Sequence, residues 1–264
     1  MSSQPPIPPR PDGLHPVPLL PPRPDTLAVT DDLRPKASWS WYEALVVYIV
    51  AFLIAGLATL PLIRLMEPET DLTNIVLTTA AALVILGVEL LWLSTYHKGW
   101  LEVMRLPERG TWRKEIGSGV LFALGLYPVM VIVVGGLLTY LLQTISGEQV
   151  RAPEQVGEHL PAIGTALTIV YAVVIAPVGE ELFFRGVLFR SLRDRHGFWV
   201  GAVGFGLIHF IPGSAVDAAL LMIVMFFTGV ALCFLYERRG TIVAPLAAHI
   251  TFNVIGIVLI LGLR

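Results

Sequence analysis

The feature that most limits this chain is a series of apolar runs, each long enough to cross a lipid bilayer. A hydrocarbon core about 30 Å thick needs roughly 20 helical residues to span it. Such runs lie near Trp41 to Leu65, Ile75 to Tyr96, Ile116 to Leu142, Ala162 to Phe189, Ala218 to Tyr236 and Thr241 to Leu261, with a shorter one from Phe198 to Ile211. The reading is an all-α membrane protein, a polytopic bundle of about seven transmembrane helices over residues 38–264. Composition agrees, because only 14% of residues are charged and 55% are hydrophobic, whereas a soluble domain is about a quarter charged.

The segment before the first run, residues 1–37, is a different material. It holds about half of the chain's 20 prolines, in strings such as Pro5-Pro6-Ile7-Pro8-Pro9 and Pro21-Pro22-Arg23-Pro24. Proline at that density supports neither helix nor sheet, and too few large apolar residues are present to offset the entropy of ordering. It reads as a disordered, polyproline II-like tail on the cytoplasmic side. It lacks the basic start and continuous apolar stretch of a signal peptide. The net charge of −2 leaves no basic surplus for nucleic acid. A single cysteine, Cys233, allows neither an internal disulfide nor a cysteine-based metal site.

Charges between the runs predict orientation. Lys98, Arg105, Arg109, Arg113 and Lys114 follow the second run, Arg190, Arg193 and Arg195 the fourth, and Arg238 and Arg239 the sixth. The intervening loops carry Glu67, Glu69 and Asp71, then Glu148, Arg151, Glu154 and Glu158, then Asp217. Basic loops stay cytoplasmic. Every second loop is basic, with Arg64 the exception, which places the chain in the cell membrane as a multi-pass protein with its N-terminus cytoplasmic. The alternation also favours the short Phe198 to Ile211 run as a crossing.

Ionisable side chains inside the spans are the candidates for function, since each costs about 2.5 kcal/mol or more near the bilayer centre. They gather in the last third of the chain, as Glu180-Glu181-Leu182-Phe183-Phe184-Arg185, Phe205-Gly206-Leu207-Ile208-His209 and His249-Ile250-Thr251-Phe252-Asn253. Four-residue spacing puts Glu181 and Arg185 on one helix face, and likewise His249 and Asn253. At about 1.5 Å per residue, Glu180 lies about 15 Å from Arg190, His209 about 16 Å from Phe198, and His249 and Asn253 about 12 and 18 Å from Thr241. These residues therefore share a layer. Pro177 and Gly179 loosen the helix beside the glutamates, and Gly201, Ala202, Gly204 and Gly206 permit close helix approach. Glu89, about 12 Å deep in the second run, has three readings: the same cavity, a partner for Arg185, or a carboxylate reaching the interface. Either histidine taken alone is compatible with simple packing.

The three elements, Glu-Glu-x-x-x-Arg at Glu180 to Arg185, Phe-x-x-x-His at Phe205 to His209 and His-x-x-x-Asn at His249 to Asn253, resemble the CPBP (CAAX protease and bacteriocin-processing, or Abi) family of intramembrane proteases. The likeness covers Ile175 to Asn253 and puts a protease core at about 160–264. It implies a buried site open to the cytoplasmic side and a peptide or membrane-protein substrate. The chemistry expected is hydrolysis by water activated by Glu180 and His209, with His249 and Asn253 donating to the oxyanion. Glu181, Arg185 and Phe205 brace these groups. The family has been described both as metalloproteases and as glutamate proteases. No metal is favoured here, because no His-Glu-x-x-His is present. If zinc binds, Glu180, His209 and His249 are its ligands. Two other classes stay open: a non-catalytic scaffold or immunity protein of the same fold, and a proton-coupled transporter.

Overall fold

The structure is a computed structural model, and it describes residues 37–66, 70–107, 110–150, 160–192, 197–210 and 214–262. The proline-rich segment up to residue 36 lies outside the described residues, as do the loop charges Glu67, Glu69, Arg109, Arg151, Glu154, Glu158, Arg193 and Arg195. Among the described residues every regular element is helical. They are α1 (Trp41–Leu65), α2 (Asp71–Tyr96), α3 (Trp100–Met104), α4 (Trp112–Ser146), α5 (Ala162–Leu192), α6 (Gly197–Leu207), α7 (Ala215–Arg239) and α8 (Val243–Gly262). All but α3 and α6 are long and apolar enough to cross a bilayer, and the protein is an integral membrane protein.

Local chemistry sets the helix ends. Ser40 caps α1, accepting from the Glu43 N–H at 3.3 Å while the Glu43 carboxylate accepts from the Ser40 N–H at 3.4 Å. Ser214 caps α7 in the same position, and α7 stops at Gly240, whose φ of 67° is the left-handed conformation glycine adopts freely. The short run from Phe198 to Ile211 becomes α6, which ends at Leu207. Beyond it the bonds tighten, His209 N–H to Gly206 O and Phe210 N–H to Leu207 O, as the chain approaches Pro212. α6 therefore spans about 16 Å, too short for a crossing by itself, and His209 sits on the turn that follows it rather than on a helix.

Apolar side chains gain little by meeting one another in lipid, so these helices associate through close contact of small residues. α4 meets α8 at Gly119, where a Cβ would lie 2.8 Å from Ala247 Cβ and 2.9 Å from Ala248 N, and would also meet Ala244 O. α6 meets α7 at two glycines. A Cβ on Gly206 would lie 2.8 Å from Met222 O, and one on Gly229 3.2 Å from both Ala202 and Phe205. α1 pairs with α2, buries Ala44, Ala51 and Ala55, and turns Leu53 and Leu57 outward.

Polar clamps hold the ends. Arg239 at the end of α7 grips Glu115 near the start of α4 through two bonds of 2.6 and 2.8 Å. Just before α1, the buried Trp39 indole donates to Val187 O of α5 at 3.1 Å and packs edge-on against Trp92 of α2.

The α4–α8 contact bears on the candidate site because α8 carries His249. Gly119→Ala is expected to lose about 1–3 kcal/mol through overpacking, seen as a lower melting temperature in detergent. Gly56→Ala, which meets nothing within 4 Å, is the control. Equal melting of the two variants would refute the close-packing account.

Candidate active site

The site begins with a fault in the backbone of α5. Over Tyr171–Ile175 the helix widens to a π turn, in which the Ala176 N–H bonds the carbonyl of Tyr171, five residues back. In that register the next carbonyl, that of Ala172, faces Pro177, which has no N–H to give. Asn253 of α8 supplies the missing donor, its Nδ2 reaching Ala172 O at 2.7 Å. A second π turn covers Leu182–Leu188. Between the two lies Ala176–Glu181. π turns of this kind recur at functional sites because they re-aim side chains without ending the helix.

Successive residues on a helix point about 100° apart, so Glu180 and Glu181 diverge. Glu181 turns fully inward. Its Oε1 accepts from Arg185 Nη1 at 2.9 Å and lies 2.9 Å from His249 Nδ1. Arg185, also with no exposed surface, donates from Nη2 to Gly229 O at 3.2 Å and rests over the Phe205 ring at 4.5 Å. An arginine inside a membrane protein must find such partners. A carboxylate already bound to a guanidinium is an acceptor, so His249 donates from Nδ1 and keeps the Nε2 lone pair free. That Nε2 stands 3.8 Å from Glu180 Oε2. The gap is too long for a direct hydrogen bond and suits an oxygen held between them. Glu180 is the more accessible of the two glutamates, its side chain 18% exposed against 1%.

Phe205 of α6 is the hub of the other wall. His249 meets its edge at 5.6 Å between centroids, and His209 lies 4.9 Å away on the same ring. The His209 ring is fixed by Nδ1, which donates to Phe205 O at 2.7 Å and so also covers a carbonyl at the end of α6. Both imidazoles are thus tethered through Nδ1.

Most of the residues singled out in the sequence come together here. Glu180, Glu181, Arg185, Phe205 and His249 form one connected set, and His209 joins through Phe205. Asn253 places one of its two amide N–H groups on the α5 backbone at Ala172 O. Glu89 neither pairs with Arg185 nor reaches the interface, being 3% exposed. Among the described residues no three His, Cys, Asp or Glu side chains form a metal-holding group, so the zinc set of Glu180, His209 and His249 is not assembled as it stands. Sequence reading missed Tyr48 and Tyr171, both of which interact electrostatically with Glu180. Neither carries a spacing signal, and a tyrosine near a membrane helix end ordinarily reads as an interface anchor.

Comparison with known proteins meets the resemblance on the same stretch. Residues 162–255 match the family described as type II CAAX prenyl endopeptidase Rce1-like. The chain is 31% identical over 91 residues to "Putative membrane peptidase YdiL" of Bacillus subtilis (strain 168), covering 33% of this chain and 34% of that protein. It is 26% identical over 93 residues to "Uncharacterized 24.3 kDa protein" of Escherichia coli, covering 34% of this chain and 43% of the other. No solved structure matches the chain. The matched stretch runs from the start of α5 past Asn253 and includes both glutamates, Arg185, Phe205 and both histidines, so this third of the chain is similar to the Rce1-like type II CAAX prenyl endopeptidases, while the chain spans less than half the length of the curated relatives it matches.

Proposed function

We propose that this protein is an intramembrane endopeptidase of the CAAX type, hydrolysing a peptide bond of a peptide or membrane-protein substrate within the bilayer. The observation that carries the reading is the clasp on His249, with Glu181 at 2.9 Å on one nitrogen and Glu180 at 3.8 Å from the other. Glu180 and His209 take a proton from water. The resulting hydroxide attacks the scissile carbonyl carbon and makes a tetrahedral oxyanion. The water's proton, relayed through Glu180 to the Nε2 lone pair of His249, lets that imidazole donate from Nδ1 to Glu181 and from Nε2 to the oxyanion. Asn253 fixes α8 to α5 through one amide N–H and offers the second to the oxyanion. The proton then passes to the leaving amine as the C–N bond breaks. Neutralising Glu181 with Arg185 keeps the imidazole oriented.

The mechanism is proposed as metal-free. The N-terminus is proposed to be cytoplasmic, on the alternation of basic loops, with the site reached from that side.

The decisive experiment measures Glu180→Gln, His209→Ala and His249→Ala in one assay with purified protein and a labelled peptide library. Each is expected to reduce kcat by about 10²-fold or more while the protein stays folded. Cleavage or a cellular phenotype that survives all three points to a scaffold instead, and flux driven by a proton gradient points to a transporter.

Chelation is expected to leave turnover intact. Activity lost in proportion to zinc removed, and restored with zinc, would end the metal-free reading.

The buried pair gives a separate outcome. Arg185→Met strands Glu181 and should cost about 3–5 kcal/mol. The double variant Glu181→Gln with Arg185→Met should regain most of that stability without regaining activity, since His249 has lost its orienting carboxylate. Recovery of both would show that the pair serves packing alone.

A further inference from the structure

α1 and α2 enclose a carboxylate that the reaction above does not use. Glu89 is 3% exposed, and neither of its oxygens has a hydrogen-bond partner. A group so placed in a membrane helix calls for a function. It lines a small pocket together with Ala44, Tyr48, Ala51, Trp92 and Phe183, too narrow in this conformation to hold water. Three aromatic rings around one carboxylate are the chemistry that holds an organic cation: the acid supplies charge, and the rings supply negative faces. The α1 wall of the pocket includes the small residues Ala44 and Ala51, so an alkyl stem can enter once the Tyr48 ring moves aside. Glu89 and Trp92, three residues apart on α2, share a helix face.

The pocket adjoins the reaction centre. Phe183 is two residues from Glu181 on α5, and its ring is stacked on Tyr48 at 3.7 Å. Tyr48 in turn interacts electrostatically with both Glu89 and Glu180. A group that lifted Tyr48 from Phe183 would enter beside the carboxylate while the rest of its molecule lay at Glu180.

We infer that the pocket between α1 and α2 is a specificity subsite for a basic side chain, lysine or arginine, of the peptide cleaved at Glu180. The peptide part of this inference rests on the protease reading, whereas the cation site rests on Glu89 itself. A choline headgroup offers related chemistry, but Glu89 lies about 12 Å from the end of α2, within hydrocarbon. A headgroup would have to leave the interface to reach it, and a peptide already bound at Glu180 would not.

The test uses the full chain in nanodiscs with n-butylammonium, n-butylguanidinium, tetramethylammonium and uncharged n-butanol as probes. Butylammonium and butylguanidinium are expected to raise the melting temperature where butanol does not, and Glu89→Gln should weaken their binding at least tenfold. Glu89→Leu should do the same. In the wild-type protein, butylguanidinium, which is not an amine that an activated carboxyl captures, should protect Glu89 from carbodiimide labelling read by mass spectrometry, a measurement that needs no variant. Binding equal for butanol and butylammonium, or unchanged in Glu89→Gln, or labelling without protection, would overturn the cation site. Tetramethylammonium bound more tightly than butylammonium would overturn the peptide assignment in favour of a choline headgroup. Glu180→Gln should retain cation binding while losing cleavage. Cation binding in a wild-type protein that cleaves no peptide would refute the protease reading and leave the pocket standing.

Discussion

A fully buried arginine in a membrane protein needs partners from within the protein, and the C-terminal half of this molecule is arranged around that requirement. Arg185 is answered by Glu181 from its own helix, by the Gly229 carbonyl of α7 and by the Phe205 ring of α6. Three helices are therefore fixed relative to one another by one side chain. Glu181 accepts a second donor on the same Oε1, from His249 of α8. The ion pair is weak evidence for stability, because desolvation offsets much of its attraction. Its consequence is registry, since the pair and its partners tie α5, α6, α7 and α8 at one point.

Registry becomes chemistry through the neighbour in sequence. Glu180 shares its backbone with Glu181 but not its surroundings, so a rigid acid and a reachable one stand side by side. One imidazole then spans the difference, held by the first and facing the second. The two π turns set this up by letting α5 change its aim before and after the pair without breaking. Pro177 and Asn253 belong to the same device, because the proline leaves a carbonyl unmet and the asparagine meets it.

Much of this was readable from residue type and spacing. Six apolar runs foretold six helices to within a few residues, and the four-residue interval foretold the Glu181–Arg185 bond. The glycines of α6 were rightly read as a close-contact face, as Gly206 and its alanine and phenylalanine neighbours against α7 demonstrate. The end of α6 was not legible, because hydropathy continues past Leu207 while the hydrogen bonding does not. Nor was the service of Asn253 to backbone, which depends on a π register that no side-chain pattern announces. Tyr48 and Trp39 escaped notice for a related cause. Their partners lie far along the chain, Trp39 meeting a carbonyl 148 residues away, and such pairings leave no local period.

Family likeness covers α5 to α8 and is silent on α1 and α2, yet those two helices are not a neutral support. The stack of Tyr48 on Phe183 and the bond from Trp39 to Val187 both land on the second π turn, the segment that also holds Arg185. Any movement of α1 is therefore felt by the residue on which the registry of the site depends. The mostly lipid-facing α1 is held by small residues against α2, by the stack of Tyr48 on Phe183, by Glu43 on His97 at the end of α2 and by the Trp39 indole just before it. A carboxylate left without a hydrogen-bond partner behind a wall of small residues is what a binding step can exploit. Filling that pocket would satisfy Glu89 and, through Phe183, reach the helix that carries Glu180, so that recognition and alignment of the reacting groups would be the same event.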